Sequence, residues 1–100
     1  SRYYTKRKEV IMAKPLTDGE CINILTEAKQ WDANSGTTVF NDFVNIAHNS
    51  FTENVISAKV NFIKYGYKEL TMFGECLSLF NDRGYDQVTK LIDYVLDYVE

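Results

Sequence analysis

"FIKYGYKELTMFGECLSLFNDRGYDQVT", Phe62 to Thr89, uses one junction twice. Phe62, Gly66, Tyr67 and Thr71 recur eighteen residues later as Phe80, Gly84, Tyr85 and Thr89. A glycine where an apolar helical period ends is the residue expected to cap that helix, because it lacks the Cβ that penalises positive φ. Between the two glycines, Leu70, Phe73, Cys76, Leu77 and Phe80 recur at steps of three and four, which predicts a helix over 68–81. A chain that passes from helix to glycine to aromatic plug to new helix twice in succession has little room for strands. The echo is shared junction chemistry and not a repeat array, which needs about three units to build a continuous core.

Reading outward, Ser50-Phe51-Thr52-Glu53 has the form of a capping box, with a hydroxyl at the N-cap and a carboxylate three residues on. It opens a helix that Val55, Ile56, Val60 and Ile63 are expected to line and Gly66 to close with a left-handed cap. Thr17-Asp18-Gly19-Glu20 is the same signature, followed by Cys21, Ile24, Leu25, Ala28 and Trp31 at helical spacing. A first helix over 18–31 follows. "DANSG", 32–36, reads as a turn-rich linker, and Val39, Phe40, Phe43, Val44 and Ala47 as a short helical segment or an ordered loop with one helical turn. From Asp86 onward Val88, Leu91, Ile92, Val95 and Val99 should face inward, leaving Asp93, Asp97 and Glu100 as an acidic outer strip. The expected fold class is all-α: a small bundle of four main helices, with a fifth short segment, forming one domain over residues 14–100.

Residues 1–13 read as a flexible basic N-terminal arm. Residues 1–14 hold five basic side chains and one acid, whereas residues 15–100 hold six and thirteen. "MAKP", from Met12, resembles an ordinary start, which would make residues 1–11 an appended tail. A solvated tail is the expected reading of the arm, and nucleic acid is not expected as a partner except through it, since an acidic body opposes phosphate tracking. No apolar run approaches the roughly 18–20 residues of a membrane span, so no membrane partner is expected. Cys21 and Cys76 fall in separate helical apolar patterns without a CxxC spacing, and they are expected to be buried, reduced thiols of a cytoplasmic protein.

Catalysis finds little support. His48 is the single histidine, and no glycine-rich phosphate loop, HExxH or GxSxG is present. His48 and Ser50 lie two residues apart, where a turn need not bring nucleophile and base together. The 32–43 segment departs from a calcium loop at both diagnostic positions, with glycine one place early and Phe43 where a bidentate carboxylate belongs. With two cysteines and one histidine, a four-coordinate zinc site is also short of ligands. The expectation is no enzyme and no metal.

"FVNIAHNSF", Phe43 to Phe51, resembles the attachment motif of acyl and peptidyl carrier proteins at Phe43, Val44, Ile46, Asn49, Ser50 and Phe51. The expected layout resembles theirs too: a first helix, a long loop, serine at the start of the next major helix, and two further helices. That resemblance implies 4′-phosphopantetheine carried on Ser50. A phosphate there would lie at the positive end of a helix dipole. The sequence departs from the family at Ala47 and His48, where glycine is preferred, and through Lys59 and Lys64 on a helix that partners usually read as acidic.

The functional expectation is therefore a non-enzymatic helical module that acts through protein partners. In its sharpest form it is a carrier-like domain modified at Ser50. In the other form it is a small interaction or inhibitory protein, of the kind mobile elements use, with Ser50 only a helix cap. Its contact residues would be Phe51, Tyr65, Tyr67, Tyr85, Tyr94 and Tyr98, because tyrosine is enriched at interface hot spots.

Overall fold

Thr17 opens the first helix as its sequence requires. Its hydroxyl accepts the Glu20 amide at 3.1 Å, and the Glu20 carboxylate accepts the Thr17 amide at 2.8 Å. The computed structural model describes residues 15–49 and 51–99. Among these it holds five helices and no strand: α1 (Asp18–Ser35), α2 (Val39–His48), α3 (Phe51–Tyr65), α4 (Tyr67–Arg83) and α5 (Tyr85–Tyr98). The basic arm, the capping hydroxyl and attachment site proposed at Ser50, and Glu100 of the acidic strip lie outside the described residues. No described helix is long and apolar enough to cross a membrane.

The expected linker "DANSG" is not a linker. Asp32 to Ser35 form the last turn of α1, which Gly36 closes in the left-handed conformation (φ 68°, ψ 25°) with its N–H on the Asp32 carbonyl. The Asp32 side chain then starts the next helix. One carboxylate oxygen accepts the Thr37 hydroxyl at 2.8 Å and the Val39 amide at 2.7 Å, and the other accepts the Phe40 amide at 2.7 Å. A carboxylate on the unpaired amides of a first turn satisfies donors that the helix cannot and complements its dipole. Of the two alternatives for this segment, short helix or ordered loop, the structure shows the helix: the ten-residue α2, with Val39, Phe40, Phe43 and Ile46 buried. The long loop of the carrier layout is replaced by a three-residue turn and this helix. Asp32→Ala should cost about 0.5–2 kcal/mol of stability in urea denaturation. Asp97→Ala, on the exposed face of α5, should stay within about 0.5 kcal/mol.

The repeated junction is built the same way at both places. The Gly66 N–H donates to Phe62 O at 2.8 Å and the Gly84 N–H to Phe80 O at 2.9 Å. The glycine carbonyls then accept the first amides of the following helices, from Leu70 at 3.3 Å and Val88 at 3.1 Å. Neither glycine takes the left-handed cap that the pattern suggests. Gly66 has φ 150° and ψ −174°, and Gly84 has φ 81° and ψ 163°. One residue must end a helix and begin another, and an extended ψ at positive φ redirects the chain without spending loop residues.

The core is drawn from all five helices, with Leu25, Phe43, Phe62, Phe73, Leu79 and Ile92 among its largest members. In α5, Val88, Ile92 and Val95 are buried and Asp93 and Asp97 exposed, as the period implies. In α4 the expected inward residue Leu70 is exposed, and its neighbour Glu69 is buried at 6%. Glu69 is held there by Trp31, whose indole N–H donates to its carboxylate at 2.8 Å, while the Lys68 ammonium lies 5.6 Å above the Trp31 ring. Elsewhere α1 is tied down by long side chains. Arg83, at the end of α4, bonds Asp18 and the Leu16 carbonyl, and Lys29 donates to the Val99 carbonyl at the end of α5 at 2.7 Å.

Cys21 and Cys76 are free and buried. Burial pushes the Cys76 thiol up from 9.0 to about 12, with nearby carboxylates adding to the effect. Between those values the unfolded chain binds fewer protons than the folded one, so this group favours folding below pH 9.0 and progressively less toward pH 12. Two measurements follow. A thiol reagent at pH 8 should leave both cysteines unmodified in the folded protein and label both in urea. The urea midpoint should fall as the pH is raised above about 9, and more steeply in the parent than in Cys76→Ala.

Candidate protein-interaction surface

The third helix carries two apolar stripes, and only one can face the core. Val55, Ala58 and Phe62 follow one another by three and four residues, and Ile56, Val60 and Ile63 by four and three on a stripe centred about 130° away. The structure turns Ala58 and Phe62 inward, at 1% and 0% exposure, with Val55 packed partly against them. Small Ala58 lets the helix approach its neighbours closely, and the Phe62 ring meets Phe73 of α4 with centroids 4.6 Å apart. The expectation that Ile56, Val60 and Ile63 line the core is corrected here: they are 60%, 51% and 75% exposed.

The position of α3 in the fold explains why no described residue covers them. Its backbone packs against α2 and α4 alone, and it reaches α5 only through the Phe51 ring at its N-terminal end, so the far side of the helix has no neighbour among the described residues. Of its fifteen residues only Ala58 and Phe62 are fully buried. An aliphatic row at i, i+4 and i+7 on the outside of a helix is the pattern by which one helix binds another. Lone exposed apolar residues are ordinary; a continuous row of three branched ones is not.

The predicted contact aromatics do not form one site. Phe51 and Tyr85 come together, edge to face at 6.1 Å, around Phe80, on which Tyr85 stacks at 4.3 Å. Tyr94 and Tyr98 pair with each other at 5.3 Å along α5, and Tyr65 leans on Phe62 at 6.4 Å. Tyr67, 86% exposed, opens α4 just past the end of α3. The Phe51–Tyr85 group borders a cleft of about 400 Å³ that Gly74, Leu77, Ser78, Phe80 and Asn81 complete. His48 lies 3.9 Å from Asp93 on the surface. Among the described residues no three His, Cys, Asp or Glu side chains gather as a metal ion would require.

The sequence reading missed Ile56, Val60 and Ile63 as surface residues. The signal that could have found them was the doubled stripe, since a helix at the edge of a small bundle buries one face. No protein-family model, no curated protein and no solved structure matches this chain.

Proposed function

We propose that this chain is a helical interaction module that receives a protein partner on the outer face of α3. The observation that supports this reading is the row Ile56, Val60 and Ile63, exposed among the described residues on a helix whose backbone packs against α2 and α4 alone. Covering three half-exposed or more exposed branched side chains is a favourable driving force for association, at roughly 25 cal/mol per Å² of apolar area removed from water. The interface would be small and centred on aliphatic anchors, and Tyr67 lies near enough in sequence to extend it.

A photo-crosslinking amino acid at position 63, irradiated in the native cells, tests the reading against the same probe at exposed position 86 of α5. A discrete adduct from position 63 that disappears with Ile56→Asp supports it. Identical products from both positions, or adducts indifferent to Ile56→Asp, would sink it.

The carrier-like form remains a second reading, with one favourable observation. Phe51, the residue directly after Ser50, opens α3 on the rim of the aromatic cleft, where a pantetheine arm or its cargo would find apolar cover. Incubation with a promiscuous phosphopantetheinyl transferase and coenzyme A should then add a single adduct that Ser50→Ala abolishes. An unmodified chain leaves the docking module alone.

A further inference from the structure

The charges around the outer row of α3 differ from those on the rest of the protein. Exposed Lys59 and Lys64 stand against one acid, Glu53, so α3 is the only described helix with a positive balance. By contrast, α1 has four acids against Lys29, and α5 has three against Lys90. The two lysines are placed where a partner would meet them. At 100° per residue, Lys59 lies about 60° to one side of Ile56 and Lys64 about 80° to the other, with Val60 and Ile63 between them. Glu53 shares the flank of Lys64 but sits a turn ahead of the row, in the first turn of α3, where a carboxylate complements the helix dipole.

From this pattern we infer that the partner segment is an acidic amphipathic helix: branched or aromatic anchors on one face, with Asp or Glu on both flanks to meet Lys59 and Lys64. The inference rests on the docking face proposed above and names the chemistry of its occupant. Apolar anchors matched to the row supply the affinity, and flanking opposite charges set which helix is accepted and how it is oriented. A second copy of this chain is a poor occupant, because pairing two α3 faces brings the lysines of each toward those of the other. An anionic membrane is also disfavoured: two lysines give a small attraction, and residues 15–100, these two included, carry thirteen acids against six basic groups.

The test is a selection of displayed helical peptides on the full 100-residue chain, with anchors drawn from apolar residues and flanks from Glu, Lys and Ser in equal supply. Selected peptides should be enriched in Glu at both flanks. Lys59→Glu/Lys64→Glu should weaken a Glu-flanked peptide at least about tenfold and reverse the flank preference. Ile63→Asp should abolish binding of every selected peptide. Peptides that need Ile63 but show no flank preference would overturn the acidic partner and leave the docking face standing. An empty selection, or peptides indifferent to Ile63→Asp, would overturn both. Sedimentation of the free protein as a dimer that Ile63→Asp makes monomeric would assign the face to a second copy. Ile63-dependent pelleting with phosphatidylserine vesicles would assign it to a membrane. Either result overturns the inference.

Discussion

Phe62→Ala should lower the unfolding free energy by about 3–5 kcal/mol, while Ile63→Ala, one residue along the same helix, should leave it within about 0.5 kcal/mol. The contrast comes from burial alone. Phe62 is fully enclosed and its ring packs on Phe73, so truncation removes both transfer energy and contacts and leaves a cavity in a small core. Ile63 is mostly in water already, and alanine is the better helix former, so losing its side chain costs little. For a domain near a hundred residues the first change should lower the melting temperature by roughly 4–8 °C per kcal/mol. Equal effects of the two substitutions would mean that α3 is rotated from the arrangement described.

The second large effect is expected at the repeated junction. Gly66→Ala and Gly84→Ala should each cost about 1–3 kcal/mol, because extended backbone at positive φ is almost closed to residues with a Cβ. Gly66 should be the worse of the two. A Cβ there would lie 3.2 Å from a Glu69 carboxylate oxygen, the carboxylate that also holds Trp31, whereas a Cβ at Gly84 meets open space. Two further positions calibrate the result. Gly36→Ala should cost about 1–2 kcal/mol, as for other left-handed caps, and Gly74→Ala, inside α4 with ordinary backbone and free space, should stabilise by about 0.4–1 kcal/mol. Urea denaturation of the four variants ranks them directly.

The features legible in the sequence are those whose partners lie within a turn or two. The Thr17–Glu20 box, the Phe-to-Gly bonds of the two junctions and the inward row of α5 all form as written, because each depends on residues three or four apart. The second helix was only half legible, as a short helical segment or an ordered loop, for the opposite reason. Its N-terminal cap comes from Asp32, seven residues before Val39 and across a glycine turn, so no local signature announces it. Burial of Glu69 was hidden too, since its partner Trp31 is 38 residues away. The face of α3 was ambiguous in principle. Two apolar stripes of equal length compete, and the choice belongs to Ala58, whose small side chain permits close approach, and to Phe62, whose ring fits beside Phe73. The grouping of the tyrosines was equally out of reach: Tyr85, Tyr94 and Tyr65 are exposed but lean on separate neighbouring rings at helix junctions and edges.

The most direct measurement compares thiol labelling in two variants, Ala58→Cys and Ile63→Cys, in folded protein where Cys21 and Cys76 are buried. If α3 turns Ala58 to the core and Ile63 to solvent, the Ile63→Cys variant labels with a maleimide at the rate of an unstructured peptide. The Ala58→Cys variant then labels at least about a hundredfold more slowly, in proportion to local opening. Labelling of both at one rate, or faster labelling at position 58, would contradict the outward row and the docking face built on it.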